Sequence, residues 1–204
     1  MKSMRARRQG PLLAVCWTLG LAGCLSFGGP SPPIQYWILD SLPGPPATPA
    51  VERVVGVGPI ALPAHLDRPN VTTRVDESRL VVSQNDLWAE PLVVGIQRVI
   101  AENLAVLNPG VKTITFPWSG PTTPELQVAV SVTRLDARPG GEVQLVAAWV
   151  LSQLAEHSEL ERGSSWIQIP VAGTSTGDVV TAISRAVEQL SRELAAAVER
   201  APAT

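Results

Sequence analysis

Cysteine is almost missing from this chain: Cys16 and Cys24 are the only two in 204 residues. Histidine is equally scarce, with His65 and His157 far apart in sequence. A disulfide framework, a Cys/His zinc cluster and a paired Cys–His nucleophile all need more of these residues, in tighter groupings. No metal, no cofactor and no catalytic group is therefore expected. A membrane-spanning run is missing too. The apolar run at residues 11–19 covers about ten residues, where a bilayer-spanning helix needs ~20. Nor is there a surplus of positive charge. Four of the 16 Lys and Arg, and none of the 18 Asp and Glu, lie before Cys24, so the chain from Cys24 onward carries a formal charge of −6. That excludes a nucleic-acid footprint and polybasic adhesion to anionic lipid.

What is present begins at the N-terminus. Lys2, Arg5, Arg7 and Arg8 precede the short apolar run, and Leu21-Ala22-Gly23-Cys24 follows it. Basic, apolar, then small residues before a cleavage point is the order of an export signal. A cysteine at the cleavage point makes Leu21–Cys24 a lipobox, with Cys24 as the lipidation site. Residues 1–23 are thus expected to be a lipoprotein signal peptide, and the protein to be anchored through Cys24 without spanning the membrane. Cys16 leaves with the signal and Cys24 is acylated, so no disulfide is expected. Residues 24–33, with Pro30, Pro32, Pro33, Gly28 and Gly29, cannot hold a helix or a central strand and read as a flexible tether. Residues 34–204 are long enough for a single domain burying roughly 70% of its unfolded surface.

Strand signals come first in that domain. Residues 34–39 and 51–62 carry β-branched and aromatic content, and residues 71–75 and 80–83 flank the polar turn Asp76-Glu77-Ser78. The period then changes: Leu92, Ile96, Val99, Ile100, Asn103, Leu104 and Leu107 recur at three-to-four spacing, predicting a helix with Pro91 in its first turn and Asn108-Pro109-Gly110 at its end. Alternation of two returns in Leu126, Val128, Val130 and Val132, and again in Val143, Leu145, Ala147, Trp149 and Leu151, across a turn at Arg138-Pro139-Gly140-Gly141. This predicts a long antiparallel hairpin, with a third strand at residues 159–169. A second helix is expected from the capping-box spacing Ser175-Thr176-Gly177-Asp178, with a narrow stripe of Val179, Val180, Ile183, Val187, Leu190, Leu194, Ala197 and Val198 packed on the sheet or, as the alternative, on a helix of another subunit. Together these predict an α/β two-layer sandwich: a mixed, mostly antiparallel sheet with two long helices on one face. The second sheet face is left free for solvent or a partner.

Four stretches invite a functional reading. Gly173-Thr174-Ser175-Thr176-Gly177 matches the spacing of a nucleophile elbow, but both histidines precede Ser175, and a helix N-cap accounts for the serine. Gly56-Val57-Gly58-Pro59 begins like a dinucleotide loop but lacks the third glycine and the helix, so it is read as a bulged strand. In Leu62-Pro63-Ala64-His65-Leu66-Asp67-Arg68-Pro69 two prolines predict a stiff extended loop presenting His65, Asp67 and Arg68. It is held by an Asp67–Arg68 pair or offers a docking surface. Residues 83–91 place Trp88 between Asp86 and Glu90, ahead of the first helix, where Trp88 is either a core lid or an interface anchor. Leu66, Asp67, Arg68, Pro69, Trp88 and Glu90 are the candidate partner-binding residues.

These stretches resemble the ABC-type transport auxiliary lipoproteins. The resemblance runs through Tyr36-Trp37-Ile38-Leu39, Val57-Gly58-Pro59-Ile60, Leu62-Pro63, Leu66-Asp67-Arg68-Pro69, Trp88-Ala89-Glu90-Pro91-Leu92, Ala101-Glu102-Asn103-Leu104 and the alternating run from Gly140 to Trp149. His65 departs from it, standing where an aromatic is expected. The resemblance implies a periplasm-facing lipoprotein of a mammalian-cell-entry (MCE) type lipid transport system, supporting envelope integrity. The implied partners are an MCE-domain periplasmic protein with its ABC permease and ATPase, and the membrane through the lipid anchor; a homo-oligomer is allowed. Leu25 follows Cys24 where an Asp would mark inner-membrane retention, so the periplasmic face of the outer membrane is the expected location. Two readings remain beside it: an assembly factor for another envelope complex, and a lipid esterase using Ser175.

Overall fold

Three long strands that alternate inward-facing residues over most of their length build the centre of the molecule. In the computed structural model, which describes residues 32–44 and 53–202, the elements in chain order are β1 (Gln35–Trp37), β2 (Arg53–Ala61), a 3-10 turn (Ala64–Leu66), β3 (Asn70–Arg74), β4 (Leu80–Trp88), α1 (Leu92–Leu107), β5 (Val111–Thr115), β6 (Leu126–Ala137), β7 (Glu142–Gln153), β8 (Ser158–Pro170) and α2 (Thr176–Arg200). The main sheet has the order β5-β2-β6-β7-β8. β2 runs parallel to both β5 and β6, and β6, β7 and β8 form an antiparallel meander. On its inner face Val128, Val130, Leu145, Leu151 and Ile167 are 3% exposed or less. They pack under α1, which lies on β2 and β5, and α2, which lies on β7 and β8; the two helices also touch each other. The mixed α/β sandwich expected from periodicity is the observed architecture.

α2 buries more than a narrow stripe. Thirteen of its 25 residues are buried, including Ala182, Ser184, Ala186, Ser191 and Ala195 beside the expected apolar positions. The reason is that α2 faces the sheet on one side and α1 on another, so small residues complete the second contact. Ser184 and Ser191 donate to the carbonyls of Val180 (3.0 Å) and Val187 (2.8 Å), which satisfies both hydroxyls inside the core. The expected capping box forms: Ser175 Oγ accepts from the Asp178 N–H at 3.2 Å, and the Ser175 N–H donates to Asp178 Oδ2 at 3.1 Å. At the other end Arg53 donates to the carbonyls of Val198 (3.2 Å), Ala201 (3.3 Å) and Pro202 (2.6 Å), a C-cap supplied from β2.

Several expectations are corrected. Residues 111–115 form a strand where none was expected, held on the sheet edge by parallel pairing with β2. Leu80–Trp88 is one strand of nine residues, far beyond residue 83. It extends because it is the middle strand of a second sheet, ordered β1-β4-β3, in which β1 runs parallel to Asp86–Trp88 and β3 antiparallel to β4. An ion pair at 2.9 Å between Arg74 of β3 and the nearly buried Asp136 of β6 ties this sheet to the first. Pro91 stands just before α1 as its N-cap residue, since the helix starts at Leu92. Gly56–Pro59 does contain the expected irregularity: the β2–β6 register shifts between Val57 and Ile60, and Gly58 takes φ +115°, a conformation open to glycine.

The outer face of the meander is open. Trp166 on β8 is 70% exposed there, opposite Val146 of β7. Among the described residues no helix is long and apolar enough to cross a membrane.

Candidate functional site

The loop after β2 does not stay extended. Its prolines bracket a 3-10 turn over Ala64–Leu66, closed by Leu66 N–H to Pro63 O at 2.9 Å and Asp67 N–H to Ala64 O at 3.2 Å. Proline at the start of such a turn costs no hydrogen bond, so a stiff loop is achieved by curling. The turn drives Leu66 into the core at 6% exposure and leaves Asp67, Arg68 and Pro69 outside. His65 is half-buried, and its Nε2 has no partner among the described residues. The expected Asp67–Arg68 pair does not form; among the described residues neither side chain has an ionic partner.

The same turn brings the two candidate stretches together. The Trp88 N–H donates to the Pro69 carbonyl at 2.7 Å, and the following Ala89 N–H donates to Trp37 O at 2.7 Å. Asp67, Arg68, Pro69, Trp88, Ala89, Glu90, Pro91 and Leu92 then line one open groove of about 310 Å³. Five of the six candidate residues thus share a single site. Leu66 lies beneath it, sharing with the buried side of Trp88 a small internal gap that Ile183 of α2 also lines. Trp88 is 8% exposed and part of the core, as the core-lid reading expects, with its remaining surface in the groove. The indoles of Trp37 and Trp149 donate to Asp86 Oδ1 (2.9 Å) and Ser165 Oγ (3.2 Å), whereas that of Trp88 has no acceptor among the described residues. Cys24, the expected lipidation site, lies outside the described residues.

Glu90 has an internal task that the sequence did not disclose. Its Oε1 accepts from Arg98 at 3.0 Å (Nε) and 2.8 Å (Nη2). Arg98 also donates to Leu39 O at 2.9 Å and pairs with Glu102 at 3.1 Å. Arg98 therefore locks the groove wall, the segment after β1 and α1 to one another. The signal was present: Glu90 stands just before the helix and Arg98 sits on its second turn, but a pair eight apart matches no simple helical spacing. The carboxylate also lies against the N-terminus of α1, where negative charge is favourable.

Asp86 supports the groove from below. Burial pushes its carboxyl pKa up, but hydrogen bonds from Ser83, Trp37 and Thr176 outweigh that and hold it below the usual value of 3.8. Ser83 Oγ donates to Oδ2 at 2.7 Å, and Thr176 belongs to the first turn of α2, so one carboxylate joins β1, β4 and α2. A lowered folded pKa means a contribution to stability that is complete above the unfolded pKa and lost as pH falls through the folded one. Asp86→Asn is expected to be less stable than the wild type at neutral pH. The gap between them should narrow as pH falls through about 4 and close below the folded value. Thermal melts between pH 7 and pH 2.5 check this; a constant gap contradicts it.

The groove holds an apolar floor of Trp88, Pro69, Pro91 and Leu92, with one exposed cation and one exposed anion on its rim. Among the described residues no group of three His, Cys, Asp or Glu converges on a point. An apolar floor between rim charges is chemistry suited to contact with another surface. Ser175 lies elsewhere, committed with Asp178 to the cap of α2.

The sequence profile of the ABC-type transport auxiliary lipoprotein component matches residues 36–195, well over half of the chain. The chain belongs to the ABC-type transport auxiliary lipoprotein family. This auxiliary lipoprotein is 26% identical over 100 residues to the intermembrane transport lipoprotein PqiC of Escherichia coli (strain K12), covering 49% of this chain and 52% of that one. PqiC of Shigella flexneri matches to the same extent. The match spans about half the length of these curated relatives. Two solved structures share the fold. One is a crystal structure of an uncharacterized protein, with TM-score 0.67, 20% identity, and coverage of 82% of this chain and 99% of that one. The other is a protein of Xanthomonas campestris, with TM-score 0.65, 16% identity, and coverage of 80% and 94%. The family is one of transport auxiliaries anchored as lipoproteins rather than a family of enzymes. Both stretches of the groove fall inside the matched region.

Proposed function

We propose that this auxiliary lipoprotein is the outer-membrane-anchored, periplasm-facing subunit of an MCE-type ABC lipid transport system, linking the periplasmic tunnel to the outer membrane. Cys24 supplies the anchor, and residues 25–33 supply a reach of at most ~30 Å. The groove between Arg68 and Trp88 is the docking surface for the MCE-domain protein. The observation that carries this reading is the meeting of two family stretches, 66–69 and 88–92, at one open site whose rim charges have no internal partner among the described residues. An apolar floor on which a largely buried tryptophan shows one edge, with charges on the rim, fits an interface anchor. The chain performs no chemical step in this account.

Affinity purification in mild detergent from the native host tests it. An MCE-domain protein should be enriched over an unrelated lipoprotein bait. Arg68→Glu should lower its recovery about tenfold, equivalent to ~1.4 kcal/mol of interface energy, with the bait still folded and membrane-bound. Reproducible absence of every MCE or transporter subunit would transfer the chain to another envelope assembly.

A further inference from the structure

The first strand carries its own exposed apolar surface. Ile34, Tyr36 and Ile38 are 57%, 68% and 50% exposed, while Trp37 and Leu39 turn inward and Leu39 is almost fully buried. With successive side chains on opposite faces, the three exposed residues form one row along β1 and its flanks. β1 is the outer strand of the small sheet, paired on one side only, with β4. Single exposed apolar residues are ordinary. Three in register on a strand at a sheet edge are a liability unless something covers them.

We infer that the Ile34–Tyr36–Ile38 row is covered by the lipid surface itself, so that the domain lies against the bilayer instead of hanging free on its tether. This rests on the reading of Cys24 as the anchor. Nine residues separate that cysteine from Ile34, a span of at most ~30 Å, so the row is the first part of the folded domain that the membrane meets. Its chemistry fits an interface. Ile34-Gln35-Tyr36-Trp37-Ile38-Leu39 contains no charge, and a tyrosine between two isoleucines suits the headgroup boundary, where amphipathic rings concentrate. The formal charge of −6 beyond the signal disfavours an anionic surface, so a zwitterionic one is the occupant. Seating the row on lipid fixes one edge of the domain and with it the height and direction in which the Trp88 groove is presented.

The mature chain has no thiol besides the acylated Cys24, which permits single-site labelling. The lipidated protein carrying Ile34→Cys, Tyr36→Cys or Ile38→Cys is labelled with a nitroxide, reconstituted into phosphatidylcholine vesicles and recovered by flotation. Collision rates are measured with a water-soluble nickel complex and with oxygen, using Gln189→Cys on the exposed side of α2 as the reference. Nickel accessibility at all three positions is expected to fall severalfold below the reference while oxygen accessibility rises. Labels as open to nickel as Gln189→Cys on vesicles that float would overturn the inference and leave the anchor standing. Equal shielding in lipid-free protein with Cys24→Ser would also overturn it, in favour of a second copy covering the strand. Failure of the lipidated protein to float would remove the anchor and the inference together.

Discussion

Gly163→Ala is expected to lower the melting temperature by about 3–10 °C, corresponding to about 1–3 kcal/mol of overpacking in a domain of this size. A methyl group at position 163 would sit 2.2 Å from Cζ2 and 2.5 Å from Cε2 of Trp149. That indole cannot step aside. It is 7% exposed, is opposed to Gly163 across the β7–β8 pair, and donates to Ser165 Oγ, which in turn donates to Glu193 of α2. The alternating family run from Gly140 to Trp149 thus ends on a ring that needs a bare backbone opposite it. Calorimetry checks the shift, and a double mutant checks its cause. Combining Gly163→Ala with Trp149→Leu should cost less than the sum of the two single changes, because the smaller side chain removes the clash. Strict additivity, or an unchanged melt for Gly163→Ala alone, would contradict the packing described.

Asn103→Ala is expected to cost about 2–3 kcal/mol, since it strands two hydrogen-bonding groups at once. Asn103 is fully buried. Its Oδ1 accepts from the Leu42 N–H at 2.7 Å and its Nδ2 donates to Ser191 Oγ at 3.1 Å. One amide therefore pins the segment after β1 to α1, and α1 to α2. Ser191→Ala removes a single contact and should cost about 1 kcal/mol. Chemical denaturation of both variants measures the difference. An Asn103→Ala variant within about 0.5 kcal/mol of the wild type would place this residue among those that change nothing.

Asn103 also shows what periodicity conveys and what it does not. Its position in the helical pattern was legible, and so was its membership of a family stretch. Its partners were not, because they lie 61 and 88 residues away in sequence. The same divide runs through the fold. β6, β7 and β8 are each at least twelve residues long, and the two-residue alternation runs far enough in Leu126–Val132 and Val143–Leu151 to disclose strand, face and hairpin. β5 has five residues, Val111–Thr115, and owes its existence to parallel pairing with a strand more than fifty residues earlier. No local signal encodes that. The second sheet was hidden for the same reason, since β1 finds β4 some fifty residues downstream.

At the candidate site both stretches were legible from proline placement and from Trp88 among charges. Their meeting was not, because it depends on a 3-10 turn that swings Pro69 to Trp88. The Asp67–Arg68 pair, one of the two readings of that loop, does not form among the described residues. The rim instead carries Asp67 and Arg68 without an ionic partner among the described residues, and the ion pair Glu90–Arg98 lies inside the wall.

The central claim is that this groove, rather than another face, meets the transport machinery. A photo-reactive amino acid placed at Arg68 in the native host, with a second placed at Ser164 on the open face of the main sheet, tests it most directly. The account predicts that irradiation at Arg68 captures an MCE-domain protein and that Ser164 does not. Capture at Ser164 with none at Arg68, from bait that is intact and membrane-bound, would contradict it.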